Sequence, residues 1–226
     1  MGKSSEVWRV AREWDGESCS IIAGGPSLAG KDLRYLEGSR VIAVNCGWRL
    51  VPWAEVLFFG DTRWWDHYGI EAVAGFRGRI ATCALGIAHP RVVRLNRSLP
   101  PGLASQSDTV MIRRTSVTAA INLAVHFGVN QITLHGVDNR VDAEGRTHHH
   151  ARHPWDLRHG WQAEQSADFA SIVKPLEVLG VKVFNESPIS NLPFWPRAND
   201  ETPDFDQRDA RARRQPAPAR ADTAIP

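Results

Sequence analysis

Short apolar runs recur along this chain, and most of them stop at a glycine or a small polar residue. Cys19 to Ala23 (CSIIA) ends at Gly24-Gly25, Val41 to Val44 (VIAV) at Asn45, and Val56 to Phe59 (VLFF) at Gly60-Asp61. Gln131 to His135 (QITLH) ends at Gly136, Val181 to Phe184 (VKVF) is the last, and Arg79 to Cys83 and Arg91 to Leu95 are weaker versions. Runs that are apolar throughout, with no in–out alternation, suit strands covered on both faces. Longer amphipathic stretches lie between them. Ser116 to Phe127 carries Val117, Ala120, Ile121, Ala124 and Val125 on one stripe and meets Gly128 as a stop. Gln162 to Leu179 places Phe169, Ile172, Val173, Leu176 and Leu179 inward, with a kink or restart expected at Pro175. The alternation predicts an α/β fold: a doubly wound, mostly parallel sheet of modified Rossmann type, in one domain over residues 1–195.

The remaining 196–226 segment is rich in Pro, Ala, Arg and Asp, and Phe205 is its only aromatic. It cannot bury enough apolar surface to offset its chain entropy and is expected to be a disordered tail. The formal net charge is +2, with Arg208, Arg211, Arg213, Arg214 and Arg220 in that tail, where a solvated end or weak nucleic-acid contact is expected. Cys19, Cys46 and Cys83 are widely spaced, show no metal-ligand spacing and lie in apolar contexts, as for reduced thiols in a cytoplasmic protein. No charged-then-apolar leader and no run of 18 apolar residues predicts a membrane span.

In open α/β sheets ligands bind beyond the carboxyl ends of the strands. The candidate site is therefore the set of strand ends: Gly24, Gly25, Pro26 and Ser27, then Asn45, Asp61, the helix start Thr115-Ser116, and Asp138. Gly24-Gly25 permits a tight turn and close approach, and Pro26-Ser27 could open a short helix with free N–H groups facing an anion; a ligand-free turn is the plainer alternative. Neither the GxGxxG nor the GxxxxGK[ST] pattern is present. Asn45 lies 20 residues after Gly25, where a dinucleotide fold carries its ribose-binding acid. An amide there brings no charge, which argues against NAD. Asp61 and Asp138 could hold ribose hydroxyls, a sugar or hydrated Mg²⁺, or simply cap helices. His148, His149, His150, His153 and His159 crowd one segment without HExxH or CxxC spacing. The expectation is no metal site and a polar lid-like loop over about 139–158. His159, just before the last long helix, is a candidate general base.

These segments, taken together, resemble one family. Ser20 to Leu28 (SIIAGGPSL), then Val44-Asn45-Cys46, resemble the opening of the bacterial α-2,3/α-2,8-sialyltransferase family. Thr115-Ser116 through Gly128, then Gln131 to Asp138 (QITLHGVD), look like that family's helix, strand and G-[IV]-D motif. His159-Gly160-Trp161 ahead of the last helix and strand is similar to its histidine-containing segment. The resemblance covers roughly residues 18–192. It extends to 6-hydroxymethylpterin pyrophosphokinase-like domains and to uncharacterised proteins of tailed bacteriophages and prophages. It implies a cytidine-type nucleotide sugar held by Gly24 to Ser27, Asn45, Thr115, Ser116 and Asp138. It also implies an inverting glycosyl transfer to a hydroxyl with His159 as base, needing no cofactor. Two features depart from the family: Val117 replaces a glycine, and Asp61 is an acid that would repel a donor carboxylate. The alternatives are an ATP- and Mg²⁺-dependent pyrophosphokinase of the pterin type and a non-catalytic phage accessory protein. The acceptor, whether glycan, small molecule or modified DNA base, cannot be read.

Overall fold

The structure, a computed structural model, describes residues 7–155 and 157–201. Seven parallel strands form one sheet in the spatial order β5-β4-β3-β2-β1-β8-β9. They are β1 (Ser18–Ile22), β2 (Arg40–Val44), β3 (Val56–Phe59), β4 (Arg79–Thr82), β5 (Val92–Arg94), β8 (Gln131–His135) and β9 (Lys182–Asn185). Each apolar run read from the sequence is one of these strands. A separate parallel pair, β6 (Asn96–Ser98) and β7 (Thr109–Met111), was not visible as a pattern, because three residues show no periodicity.

The apolar runs alternate between two cores. Ile21, Ile42, Val44, Phe58 and Leu134 face one side, with α2 (Ser116–Phe127) and α3 (Trp161–Val178) packed on them. Ile22, Val41, Ala43, Leu57 and Phe59 face the other, covered by α1 (Thr62–Gly75). This two-sided cover is why the strands read as continuous hydrophobic stretches. Each fully buried large side chain contributes about 1.5–3 kcal/mol of transfer free energy.

Helix α1 eluded the sequence reading. Its buried stripe is Trp64, Tyr68, Gly69 and Ala72, two of them small, while Ile70 on the same helix is 91% exposed, so the period is blurred. Its start is nonetheless specified, since the Asp61 side chain caps it by accepting from the Arg63 N–H at 2.9 Å. Helix α2 runs as expected and ends at Gly128, which takes the left-handed conformation with φ 93°. Helix α3 continues through Pro175.

The chain order turns around between β1 and β8. Strands β2 to β5 extend to one side of β1, and β8 and β9 to the other. The connections leaving β1 and β8 therefore diverge, opening a crevice at their C-terminal ends. Beyond β9, the amide of Asn185 donates to the Pro196 carbonyl, and the Ala198 amide to Glu186 Oε1 at 2.8 Å. The first residues of the expected tail are thus held against the domain, up to a short helix α4 (Ala198–Glu201). The rest of that tail, with Phe205 and its arginines, lies outside the described residues. None of the helices among the described residues is long and apolar enough to cross a membrane.

Candidate functional site

The floor of the crevice is the pair of loops leaving β1 and β8. The Gly25 amide donates to the Gly136 carbonyl at 2.9 Å. A Cβ on Gly25 would sit 2.4 Å from that carbonyl oxygen and 2.5 Å from Asp138 Oδ2. This glycine is required for the two loops to touch. Asp138 is 1% exposed, and it accepts from the Ser27 amide at 2.8 Å and the Ser27 hydroxyl at 2.6 Å. Its carboxylate therefore serves to hold the first loop, rather than standing open to solvent. Pro26 is buried at the head of a short 3₁₀ turn, and neither it nor Ser27 lines the crevice.

Gly24, Gly25, Asn45, Asp61, Thr115, Ser116 and Asp138 do line it, in a cleft of about 590 Å³. Asn45 sits in the left-handed region with φ 51°, and its Oδ1 is buried with no hydrogen-bond donor. Asn139, also left-handed and 6% exposed, gives its amide hydrogens to the Gln162 carbonyl (3.2 Å) and Ser166 Oγ (2.8 Å). Those bonds turn its Oδ1 the other way, where it too is buried without a donor. Two residues of the cleft wall thus each carry a buried, unpaired acceptor, at a cost of about 1–3 kcal/mol. Thr115 Oγ1 caps α2 by accepting from the Val117 amide at 3.2 Å, and Ser116 lies beside Gly60, where a Cβ would come within 3.1 Å of its Oγ.

The cleft is cationic. Arg63, Arg97, Arg113, Arg114, Arg140 and Arg158 line it, against the acids Asp61 and Asp138. Both acids are already engaged within the chain: Asp61 pairs with Arg63, Nη2 to Oδ2 at 2.7 Å, and Asp138 with Ser27. Hydrogen bonds from Arg63 accordingly hold the Asp61 carboxyl below its ordinary range although burial opposes them. Arg113 is fixed by Asp168 of α3, which is fully buried and also accepts from the Arg114 amide at 2.9 Å. Arg114 pairs with Glu164 at 3.1 Å. Arg97, Arg140 and Arg158 form no ion pair among the described residues. Arg113 and Arg114 escaped the sequence reading, although they directly precede Thr115-Ser116.

The loop over about 139–158 lies across the cleft. The His149 amide donates to the Gly24 carbonyl at 3.0 Å. The His153 ring is stacked on Trp155, with centroids 4.6 Å apart and an interplanar angle of 5°, and its Nδ1 lies 2.8 Å from the Tyr68 hydroxyl. Burial, reinforced by neighbouring imidazoles, pushes His148 down to about 3 and His149 and His153 to about 4. These rings are neutral at pH 7. His159 stands apart: it is exposed on the turn before α3 and does not line the cleft, although its neighbours Arg158 and Trp161 do.

No protein-family model and no curated protein matches this chain. Solved structures of the sialyltransferase CstII from Campylobacter jejuni are similar in chain path. One, in complex with the substrate analogue CMP-3FNeuAc, has a TM-score of 0.44 and 14% identity over 80% of this chain and 85% of that one. Another, in complex with cytidine-5'-monophosphate, has a TM-score of 0.46 and 16% identity over 81% of this chain and 86% of that one. At this level the likeness does not decide function, which has to be read from the residues of the cleft.

Proposed function

We propose that this chain is a glycosyltransferase that holds a nucleotide sugar in the cleft at the β1–β8 crevice and passes the sugar to a hydroxyl acceptor. The observation that carries this reading is the surplus of guanidinium groups. Arg97, Arg140 and Arg158 face the cleft with no acid paired to them among the described residues, which suits the phosphate of a nucleotide. A small polar site of this kind, at the C-terminal edge of a parallel sheet, is where such folds take nucleotides.

The sequence raised an objection to an acidic donor sugar, the repulsion expected from Asp61. Pairing with Arg63 offsets that charge. The same pairing, with the commitment of Asp138 to Ser27, weakens the pyrophosphokinase alternative, because Mg²⁺–phosphate sites need carboxylates free to ligate.

The general base in this reading is His159, brought over the acceptor by closure of the turn between Arg158 and Trp161. His148 lies in the cleft already, but a pKa held near 3 makes it a poor proton acceptor. General-base assistance is typically worth ~10²–10⁴-fold in rate.

The test is a thermal-shift screen of CMP, CDP, UDP, ADP and ATP, each with and without Mg²⁺, followed by transfer assays with the corresponding sugars. The expected result is stabilisation by a pyrimidine nucleotide without Mg²⁺. His159→Ala should then keep that shift and lose transfer ~10²-fold or more. Stabilisation by ATP only with Mg²⁺ would overturn the transferase reading. Loss of transfer in His148→Ala with His159→Ala unaffected would move the base to His148.

A further inference from the structure

We infer that Cys46, His150 and His153 form a binding site for a soft divalent transition metal of the zinc type, which fastens the 139–158 loop to the end of β2. One ligand atom from each of the three residues lies within 4.8 Å of the others. Four-coordinate zinc with thiolate and imidazole ligands, at Zn–S of about 2.3 Å and Zn–N of about 2.0–2.1 Å, sets its donors roughly 3.4–3.6 Å apart. The donor–donor distances therefore need to shorten by at most about 1.4 Å to close on an ion, a movement the loop carrying two of them can supply.

The surroundings are those of a ligand set. His150 has its Nδ1 2.7 Å from the Ala151 carbonyl, and His153 has its Nδ1 2.8 Å from the Tyr68 hydroxyl. Each ring is oriented through one nitrogen, which leaves Nε2 for the metal. Anchoring of the second nitrogen is the usual support of a metal-binding histidine. Cys46 is fully buried on the turn after β2, and the Trp64 indole N–H points to its sulfur at 3.4 Å, a donor suited to a thiolate. The nearby charges balance locally, since Arg49 pairs with Glu71 and Arg63 with Asp61. Loading a divalent ion releases the thiol proton to solvent, and the thiolate then offsets half of the ion's charge. Thiolate with imidazole selects zinc or a similar soft ion over Mg²⁺ or Ca²⁺. A fourth position falls to water or to His148, whose ring lies 4.7 Å from that of His153 and 5.1 Å from that of His150.

The linear sequence offers only His150-x-x-His153, which is not a metal motif; the third donor arrives through the fold. The site borders the cleft, because His150 and His153 also line it, but it does not depend on which ligand the cleft holds.

Untagged full-length protein, stripped with EDTA and dialysed, is titrated with Co²⁺ and then Zn²⁺ at micromolar concentrations. The expected result is one equivalent of Co²⁺ with a thiolate charge-transfer band and tetrahedral d–d bands, displaced by Zn²⁺. Cys46→Ala, His150→Ala and His153→Ala should each abolish that spectrum, His149→Ala should keep it, and Tyr68→Phe should weaken binding by ~10–100-fold. Circular dichroism checks folding of each variant, and the two loop histidine variants decide the matter if Cys46→Ala does not fold. Absence of binding overturns the proposal. So does a bound ion without a thiolate band, or binding that survives folded His150→Ala and His153→Ala.

Discussion

Ser27 and Asp138 join the two loops beneath the crevice, the Ser27 amide and hydroxyl both donating to the Asp138 carboxylate at 2.8 and 2.6 Å. The two residues belong to loops that leave adjacent strands and then diverge. Their bonds keep Gly25 seated on Gly136, and so give the cleft its floor. Asp138 shapes the site by positioning its neighbour.

Asp138→Ala removes the acceptor of two charge-assisted hydrogen bonds, each worth about 1.5–3 kcal/mol. The variant should unfold at lower urea, with a loss of about 3–6 kcal/mol, and should bind nucleotide more weakly because the floor is released. An unchanged urea midpoint would show that the loops hold together without this carboxylate.

Gly25→Ala should be far more costly than Gly24→Ala. The backbone at Gly25 (φ −64°, ψ 155°) is ordinary for alanine, so conformational freedom is not the issue. The new Cβ would meet the Gly136 carbonyl at 2.4 Å, whereas at Gly24 it meets only the His148 side chain at 3.3 Å. Thermal melts should show a loss of ~1–3 kcal/mol or more for Gly25→Ala and a small change for Gly24→Ala.

Asp168 is fully buried and accepts from Arg113 Nε at 2.9 Å and from the Arg114 amide at 2.9 Å. Arg113 is half exposed, but its removal leaves the buried Asp168 carboxylate with the Arg114 amide as its remaining donor, at about 1–3 kcal/mol. Arg113→Ala should therefore destabilise, and Arg113→Ala with Asp168→Leu should recover part of the loss. Chemical denaturation of the three variants measures the coupling, and strict additivity would contradict it.

The strands were legible because burial on both faces writes itself as unbroken apolar runs, and α2 because its stripe is wide and ends at Gly128. Helix α1 was not, since only Trp64, Tyr68, Gly69 and Ala72 turn inward. At the site, local chemistry marked Gly24, Asn45, Asp61 and Thr115 as strand ends or helix starts that do line the cleft. What local chemistry could not show is pairing over distance. That Asp138 would be engaged by Ser27, that Asp168 would fix Arg113, and that Cys46 would lie beside His150 and His153 depend on the strand order β2-β1-β8, which brings remote loops together. His159 carries the reverse lesson, for adjacency in sequence to cleft residues left its own ring exposed.

The last prediction concerns pH. His135 ends β8, is 6% exposed, and has a buried Nε2 without a partner. Burial pushes its pKa down to about 4, only partly opposed by Glu186, against about 6.5 in the unfolded chain. The fold thus favours the neutral ring. Between pH 6.5 and 4 the unfolded chain binds more protons than the folded one, so stability rises with pH across this window. The contribution is complete above the unfolded pKa and is lost as pH falls toward 4. From pH 7 to pH 5 the loss from this ring is about 2 kcal/mol, equivalent to a fall in Tm of roughly 4–8 °C in a domain this size. The loop histidines His148, His149 and His153 act in the same direction, so the measurement compares native protein with His135→Gln, both in EDTA. The variant should lose less stability than the native chain over pH 7 to 5, by about 2 kcal/mol. Parallel pH profiles would mean that the fold does not depress the His135 pKa, and that other groups account for the acid sensitivity.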